Sequence, residues 1–181
     1  GFSGAFLQTD QSDAVLAGIS DSDVDITETL TVQADDQSTM TTGSGAGSLQ
    51  VAYGSGASVS LAPSAVTNKV TVGNLVLAWI GEQPLTDGTL VDSSVTTDGS
   101  SVSAGGKIII AAVCDQEILN TAIAVAVSVA IAPDFASAAG AGSGASSTIT
   151  TNNVIKSAVN GVSDLTVGGA NGLSVTAADS G

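Results

Sequence analysis

The sequence predicts an all-β fold, specifically a parallel right-handed β-solenoid (β-helix) that forms a single domain over residues 1–181. Three observations favour it: an internal repeat, runs of alternating Val and Ile, and frequent turns rich in Gly and Asp. The chain shows no convincing 3.6-residue apolar period of the kind that predicts a helix. Short strands between frequent turns also fit an antiparallel β-sandwich, as in a pilin-like subunit, and this is the alternative.

The internal repeat consists of a short apolar strand, a polar corner and a second strand that ends in small residues. Ile19, Ile80 and Val159 occupy equivalent positions in its three copies, which are 61 and then 79 residues apart. Copies this long predict that each one holds several coils of a stacked β-structure. The irregular modules are expected at about residues 1–38, 39–117 and 118–181.

Turn residues divide the chain into short strands. The first apolar strands are expected at residues 5–7 and 15–19, and glycines are expected to interrupt a small-residue strand at 39–47. Pro84 and the sequence Thr86-Asp87-Gly88 mark an inserted, exposed loop at about residues 82–92. This loop is the main departure from the repeat.

The most apolar segment runs from Ile118 to Ile131. It is too short to span a bilayer as a helix, so no membrane span is predicted. Large and small residues alternate strictly between Ile123 and Ile131, which predicts a strand buried on both faces. We expect the large residues to face the core and the alanines to lie under a close neighbour.

The charge balance excludes some partners. The net charge is −14, with 17 acidic residues, three lysines and neither His nor Arg. A nucleic-acid-binding protein needs Lys and Arg to replace the counterions of phosphates, so nucleic acid is excluded as a partner. The single cysteine, Cys114, allows no internal disulfide, and its apolar neighbours predict a buried, inert thiol.

The small-residue and polar-corner motifs resemble the repeats of giant bacterial surface adhesins of the filamentous haemagglutinin-like and autotransporter-passenger-like type. The segments that carry the resemblance are 139–145, 151–154, 158–161 and 172–180. The resemblance covers most of the chain. It implies an extracellular, cell-surface right-handed β-helix that serves as a stalk, fibre or adhesin, and it implies no catalytic residue.

These features predict a structural subunit or segment of an extracellular filament, assembled by head-to-tail β-stacking. The partners are then further copies of the chain or neighbouring repeats of a longer one. The alternative is an adhesin segment that binds a glycan or a surface protein through its inserted loop, with Trp79, Glu82 and Asp87 as contact residues. A polysaccharide-acting enzyme ranks below both, since no catalytic motif is present, and no enzyme activity or cofactor is predicted.

Asp21, Asp23 and Asp25 alternate in a pattern that resembles the start of an EF-hand calcium loop. Ile26 and Val32 occupy the positions where that loop needs Gly and Glu, so the EF-hand interpretation fails. Three acids on alternate residues of one strand face repel one another unless a cation lies between them. Calcium at this patch is one hypothesis, and a plain solvated face is the other.

Overall fold

The structure, a computed structural model, describes residues 2–85, 99–133, 136–170 and 172–180. Within these ranges the chain forms twelve β-strands and no helix. The strands are β1 Ser3–Gln11, β2 Ala14–Ile19, β3 Asp23–Ile26, β4 Leu30–Tyr53, β5 Ser58–Val72, β6 Leu75–Gly81, β7 Ser101–Ala104, β8 Ile108–Ile131, β9 Ser137–Thr151, β10 Val154–Asn160, β11 Asp164–Val167 and β12 Leu173–Asp179.

The strands form four three-stranded sheets, in the orders β1-β5-β9, β10-β6-β2, β11-β7-β3 and β12-β8-β4. The chain therefore passes three times through the same four sheets: β1–β4 make the first pass, β5–β8 the second and β9–β12 the third. The strand pairs of β2, β6 and β10 and of β3, β7 and β11 are parallel. The all-β prediction is confirmed, and the parallel pairing differs from the antiparallel sandwich of the alternative.

The strand register confirms the repeat that the sequence shows. Ile19 on β2 pairs with Ile80 on β6, and Ile80 pairs with Val159 on β10. Each copy corresponds to one pass of four strands instead of several coils. The module boundaries expected near residues 38 and 117 fall inside β4 and β8, because both strands are 24 residues long.

The chain divides into two compact units, and each unit takes one segment from every pass. Unit 1 comprises Gly1–Asp10, Thr41–Thr71 and Leu119–Thr150. Unit 2 comprises Gln11–Met40, Val72–Ile118 and Thr151–Gly181.

Unit 2 has an apolar core centred on the second pass. Val76, Ala78 and Ile80 on β6 and Ile108 and Ile110 on β8 are all 0% exposed. They pack with partly buried Val, Ile and Leu residues of the first and third passes. β-branched residues suit these strands because they fill the space above a pleated surface without a large loss of side-chain freedom.

Unit 1 has a mixed interior, in which Val66 and Val70 are buried on the same face of β5 as polar side chains. Ser60 and Asn68 on β5 are both 0% exposed. The Ser60 hydroxyl donates to the Gln50 carbonyl at 3.1 Å, and the Ser128 hydroxyl donates to the Ser60 carbonyl at 2.8 Å. The Asn68 side-chain amide donates to the Asn120 side-chain oxygen and to the Thr121 carbonyl.

The prediction that the large residues between Ile123 and Ile131 face a core is wrong. Ile123 is 57% exposed and Ile131 is 45% exposed, whereas the small residues between them face inward and are half-buried. Strict alternation shows which residues share a face, but it does not show which face is inside. In unit 1 the serine and asparagine contacts bring small side chains together, and the large residues of β8 then point outward.

Truncation of one inward and one outward isoleucine of β8 tests this orientation. We expect Ile110→Ala to lower the free energy of unfolding by about 2–5 kcal/mol, since it leaves a cavity in the core. The matched Ile123→Ala variant removes a mostly exposed side chain and should cost less than about 1 kcal/mol. Denaturant unfolding measures both values, and equal losses would contradict the assigned faces.

Candidate functional site

A ladder of Asp and Asn side chains joins the three passes at the corner before β2, β6 and β10. The Asp13 backbone N–H donates to the Asn74 side-chain oxygen at 3.3 Å, and the Asn74 backbone N–H donates to the Asn153 side-chain oxygen at 3.1 Å. The chain backbones bond at the same corner: Leu75 N–H donates to the Asp13 carbonyl at 2.8 Å and Val154 N–H to the Asn74 carbonyl at 2.7 Å. Each pass thus makes the same contacts with the pass that follows it.

A second column of polar groups faces this ladder inside unit 2. It consists of Asp36 on β4 and Cys114 on β8, which lie 3.8 Å apart (Sγ to Oδ2), and Asp179 on β12, which pairs with Cys114. The Asn74 side-chain amide donates to the buried Asp36 carboxylate, and the Asn153 side-chain amide lies 3.6 Å from Cys114 Sγ. The two columns therefore satisfy each other's buried polar groups.

The surroundings of Cys114 favour the protonated thiol. Burial raises the pKa of Cys114 from its ordinary value of 9.0 to about 11, and the negative charges of Asp36 and Asp179 act in the same direction. The thiolate is the nucleophilic form of cysteine, so this thiol is unreactive at neutral pH. The buried position predicted for Cys114 is confirmed, with 0% of its surface exposed.

The third pass of unit 2 leaves apolar side chains exposed that are buried in the second pass. Leu173 and Val175 on β12 are 43% and 44% exposed, although their register partners on β8, Ile108 and Ile110, are fully buried. The difference arises because β8 lies between two neighbours in its sheet, whereas β12 has one. The third pass of unit 2 thus exposes apolar side chains that, one pass earlier, belong to the core.

The backbone of β12 also directs hydrogen-bonding groups away from β8. Ser180 N–H donates to the Cys114 carbonyl at 2.9 Å, and the Gly172 carbonyl accepts from Ile108 N–H at 3.1 Å, so even-numbered residues face β8. Successive residues of a strand alternate in direction, so Val175 and Ala177 direct their N–H and C=O groups to the opposite side. Such an edge is a template for pairing with another strand.

Trp79 lies across β2. A Cβ atom at Gly18 would come within 2.1 Å of the Trp79 ring, so only glycine leaves room for the indole there. The indole N–H donates to the Ser20 hydroxyl at 2.9 Å, and the ring is 8% exposed. Little of Trp79 is therefore available to stack on a sugar.

Of the other two residues named for ligand contact, Glu82 lies within the described residues and Asp87 does not. Glu82 follows β6, and its backbone N–H donates to the Asn160 carbonyl at 2.7 Å. Asp87 and most of the inserted loop at 82–92 lie outside the described residues. The role of these residues in binding stays a prediction.

The three aspartates of the calcium hypothesis do not share one strand. Asp21 lies in a turn with φ of 48°, whereas Asp23 and Asp25 are exposed on β3. In the part of the chain that the structure describes, no group of three or more His, Cys, Asp or Glu side chains is placed to hold a metal ion. Calcium binding by Asp21, Asp23 and Asp25 stays a prediction.

Comparison with known proteins assigns the chain to no family. The chain matches no protein-family model, no curated protein and no solved structure at a significant level. The resemblance to bacterial adhesin repeats is thus carried by the sequence motifs alone. Among the described residues, no helix has the length and apolar character needed to cross a membrane.

The corner ladder is a feature that sequence reasoning missed, although a signal for it exists. Asp13, Asn74 and Asn153 each lie six residues before the aligned positions Ile19, Ile80 and Val159. An Asp or Asn at the same offset in all three copies is what a side-chain ladder between stacked passes requires. No such sequence signal exists for Asp36, because the residue beside it on β8 is Cys114 instead of another Asp or Asn.

Removal of the central ladder residue tests its contribution to stability. Asn74→Ala leaves the buried Asp36 carboxylate without its amide donor, and the expected loss is about 1–3 kcal/mol or more in free energy of unfolding. Asn152→Ala, which truncates an exposed side chain two positions before β10, should change stability by less than about 0.5 kcal/mol. Equal effects in denaturant unfolding would contradict the role of the ladder.

The raised pKa of Cys114 predicts a loss of stability in alkali. The unfolded chain releases the thiol proton near pH 9 and the folded chain near pH 11, so the folded state binds more protons between these values. The free energy of unfolding should therefore fall as the pH rises from 9 towards 11. The same titration of Cys114→Ala isolates the thiol from other groups, and identical profiles for the two proteins would contradict the prediction.

Proposed function

We propose that this chain is a structural segment of an extracellular bacterial fibre, in which copies stack head to tail as a parallel right-handed β-solenoid. The observation that carries the proposal is the open third pass of unit 2, with Leu173 and Val175 nearly half exposed above the fully buried Ile108 and Ile110. A further pass placed on β12 buries these side chains as β12 buries those of β8. The area removed from water stabilises such a contact by about 25 cal/mol per Å².

The corner ladder also supports head-to-tail assembly. Within the chain, each ladder residue donates its backbone N–H to the Asn side chain of the next pass. In a head-to-tail stack, the next pass after Asn153 belongs to the neighbouring copy, and Asp13 of that copy supplies the equivalent oxygen. The ladder then continues across the joint with the same chemistry as inside the chain.

The right-handed coil follows from general strand chemistry. About 98% of connections between parallel strands of one sheet are right-handed, because strands have a right-handed twist. Each strand of the second pass lies in the same sheet as its counterpart in the first pass, and the intervening chain forms a connection of this kind. The fibre role and the cell-surface location also follow the resemblance of the motifs to adhesin repeats.

Assembly of the purified chain tests the proposal. We expect negative-stain electron microscopy to show filaments one molecule wide, and sedimentation to show species that grow with concentration. Ala177→Pro should abolish the filaments, because proline removes an N–H that points away from β8 and leaves the bonds to β8 in place. Ala177→Ser keeps this N–H and serves as the matched control.

The folded state of each variant is checked by circular dichroism and thermal unfolding. Ala177→Pro should remain folded as a monomer with a strand spectrum equal to that of the parent. A parent chain that stays monomeric at all concentrations, or filaments that persist unchanged in Ala177→Pro, would overturn the proposed stacking.

A further inference from the structure

Unit 1 exposes an apolar face that the stacking of passes does not cover. On β4 the outward row is Gly43, Gly45, Gly47, Leu49, Val51 and Tyr53, and on β8 it is Thr121, Ile123, Val125, Val127, Val129 and Ile131. We call these twelve residues the outer face of unit 1. Leu49, Val51 and Tyr53 are 70%, 60% and 75% exposed. These residues lie on a strand face, so a neighbour along the stacking direction leaves them exposed.

The register of the two strands sets the layout of the face. Thr42 bonds to Asn120 and Ser38 to Gln116, both 78 residues apart, so β4 and β8 run side by side with this offset. Gly45 thus lies beside Ile123, and Tyr53 beside Ile131. A Cβ atom added at Gly43 would meet nothing within 4 Å, and at Gly45 only the Ile123 carbonyl at 3.7 Å. The three glycines form a trough beside the large side chains of β8.

The charge distribution points to a second copy of this face as its partner. The segments of unit 1 contain two of the 17 acids and one of the three lysines, a net charge of −1, whereas those of unit 2 carry −13. Like charges oppose lateral contact between copies through the exposed acidic side chains of unit 2. The outer face itself contains no charged residue. It is therefore a surface on which two copies approach with little charge repulsion.

The shape of the β4 row is complementary to itself. When two copies face each other with antiparallel strands and a two-fold axis beside position 48, Gly43 lies opposite Tyr53 of the second copy. In the same arrangement Gly45 lies opposite Val51 and Gly47 opposite Leu49. Each large side chain of the β4 row meets a glycine, and the two halves of that row exchange roles, as an interface with two-fold symmetry requires.

We propose that the outer face of unit 1 is a lateral interface, through which two copies of this chain pair face to face with antiparallel β4 strands. Eleven residues at about 3.4 Å each and two strands about 4.8 Å apart give a footprint of about 350 Å² per copy. Stable interfaces bury about 800 Å² per partner, so a single pair is weak. Copies already joined along one axis present many such faces, and the contacts then add through multivalency.

A lipid surface fits the face less well. The sheets of unit 1 have open strand edges, and unpaired backbone groups are strongly disfavoured in hydrocarbon. A general attraction to lipid depends on apolar area and increases when a glycine becomes valine. The two-fold pairing depends on shape and weakens when a glycine becomes valine. One substitution therefore distinguishes a second copy from a lipid surface as the partner.

Sedimentation equilibrium on the full chain tests the interface, with Ala177→Pro as the background so that axial stacking does not contribute. We expect the average mass to rise towards that of a dimer as the concentration approaches about 1 mM. Gly45→Val should reduce the association at least tenfold, because the added side chain meets Val51 of the second copy. The double variant Gly45→Val/Val51→Gly exchanges the two sizes and should restore it.

The outcomes are distinct from those of the filament experiment. No rise in mass in the Ala177→Pro background, or unchanged association in Gly45→Val, would overturn the lateral interface and leave axial stacking unaffected. Flotation with neutral phosphatidylcholine vesicles that increases in Gly45→Val would assign the face to lipid and overturn the pairing. Thr39→Val, also outward on β4 but outside the outer face, is the control and should leave the association unchanged.

Discussion

Parallel, in-register stacking of successive passes is the constraint on which the rest of this structure depends. Once Ile19, Ile80 and Val159 lie above one another, the other inward positions of β2, β6 and β10 are aligned as well. The stack then forms columns of like residues, such as the apolar columns of the core and the Asp13-Asn74-Asn153 ladder. A shift of one residue in any pass would turn its apolar side chains outward and separate the ladder oxygens from their donors.

The two units use this constraint with different interiors. Unit 2 buries Val and Ile side chains, and part of its buried polar groups lies in two facing columns around Asp36 and Cys114. Unit 1 buries serine hydroxyls and asparagine amides that bond to backbone carbonyls, as Ser60 does with Gln50. Short side chains in its interior leave the large residues of β4 and β8 on the outside. Unit 2 thus has an apolar core, whereas unit 1 combines buried valines with side-chain hydrogen bonds.

Much of the fold could be predicted from the sequence, because a repeat carries its own register. The spacing of Ile19, Ile80 and Val159 correctly aligned three strands, and the turn residues located most corners. The length of β4 could not be predicted, since glycine usually interrupts a strand. Gly43 and Gly45 nevertheless continue β4, which pairs with the neighbouring β8. The inward direction of the even-numbered residues from Ala124 to Ala130 was also hidden, because alternation is symmetric between the two faces. The contact between Asp36 and Cys114 joins residues 78 positions apart, so no local sequence pattern indicates it.

The position of Trp79 over Gly18 gives the protein a convenient spectroscopic property. Trp79 is the single tryptophan and belongs to unit 2, whereas the single tyrosine, Tyr53, belongs to unit 1. The indole is 8% exposed and the phenol ring is 75% exposed. Fluorescence excited at the red edge therefore reports the loosening of unit 2, where the buried indole becomes exposed to water. Unit 2 thus carries an optical reporter of its own without any added label, whereas the exposed phenol of unit 1 changes its surroundings little.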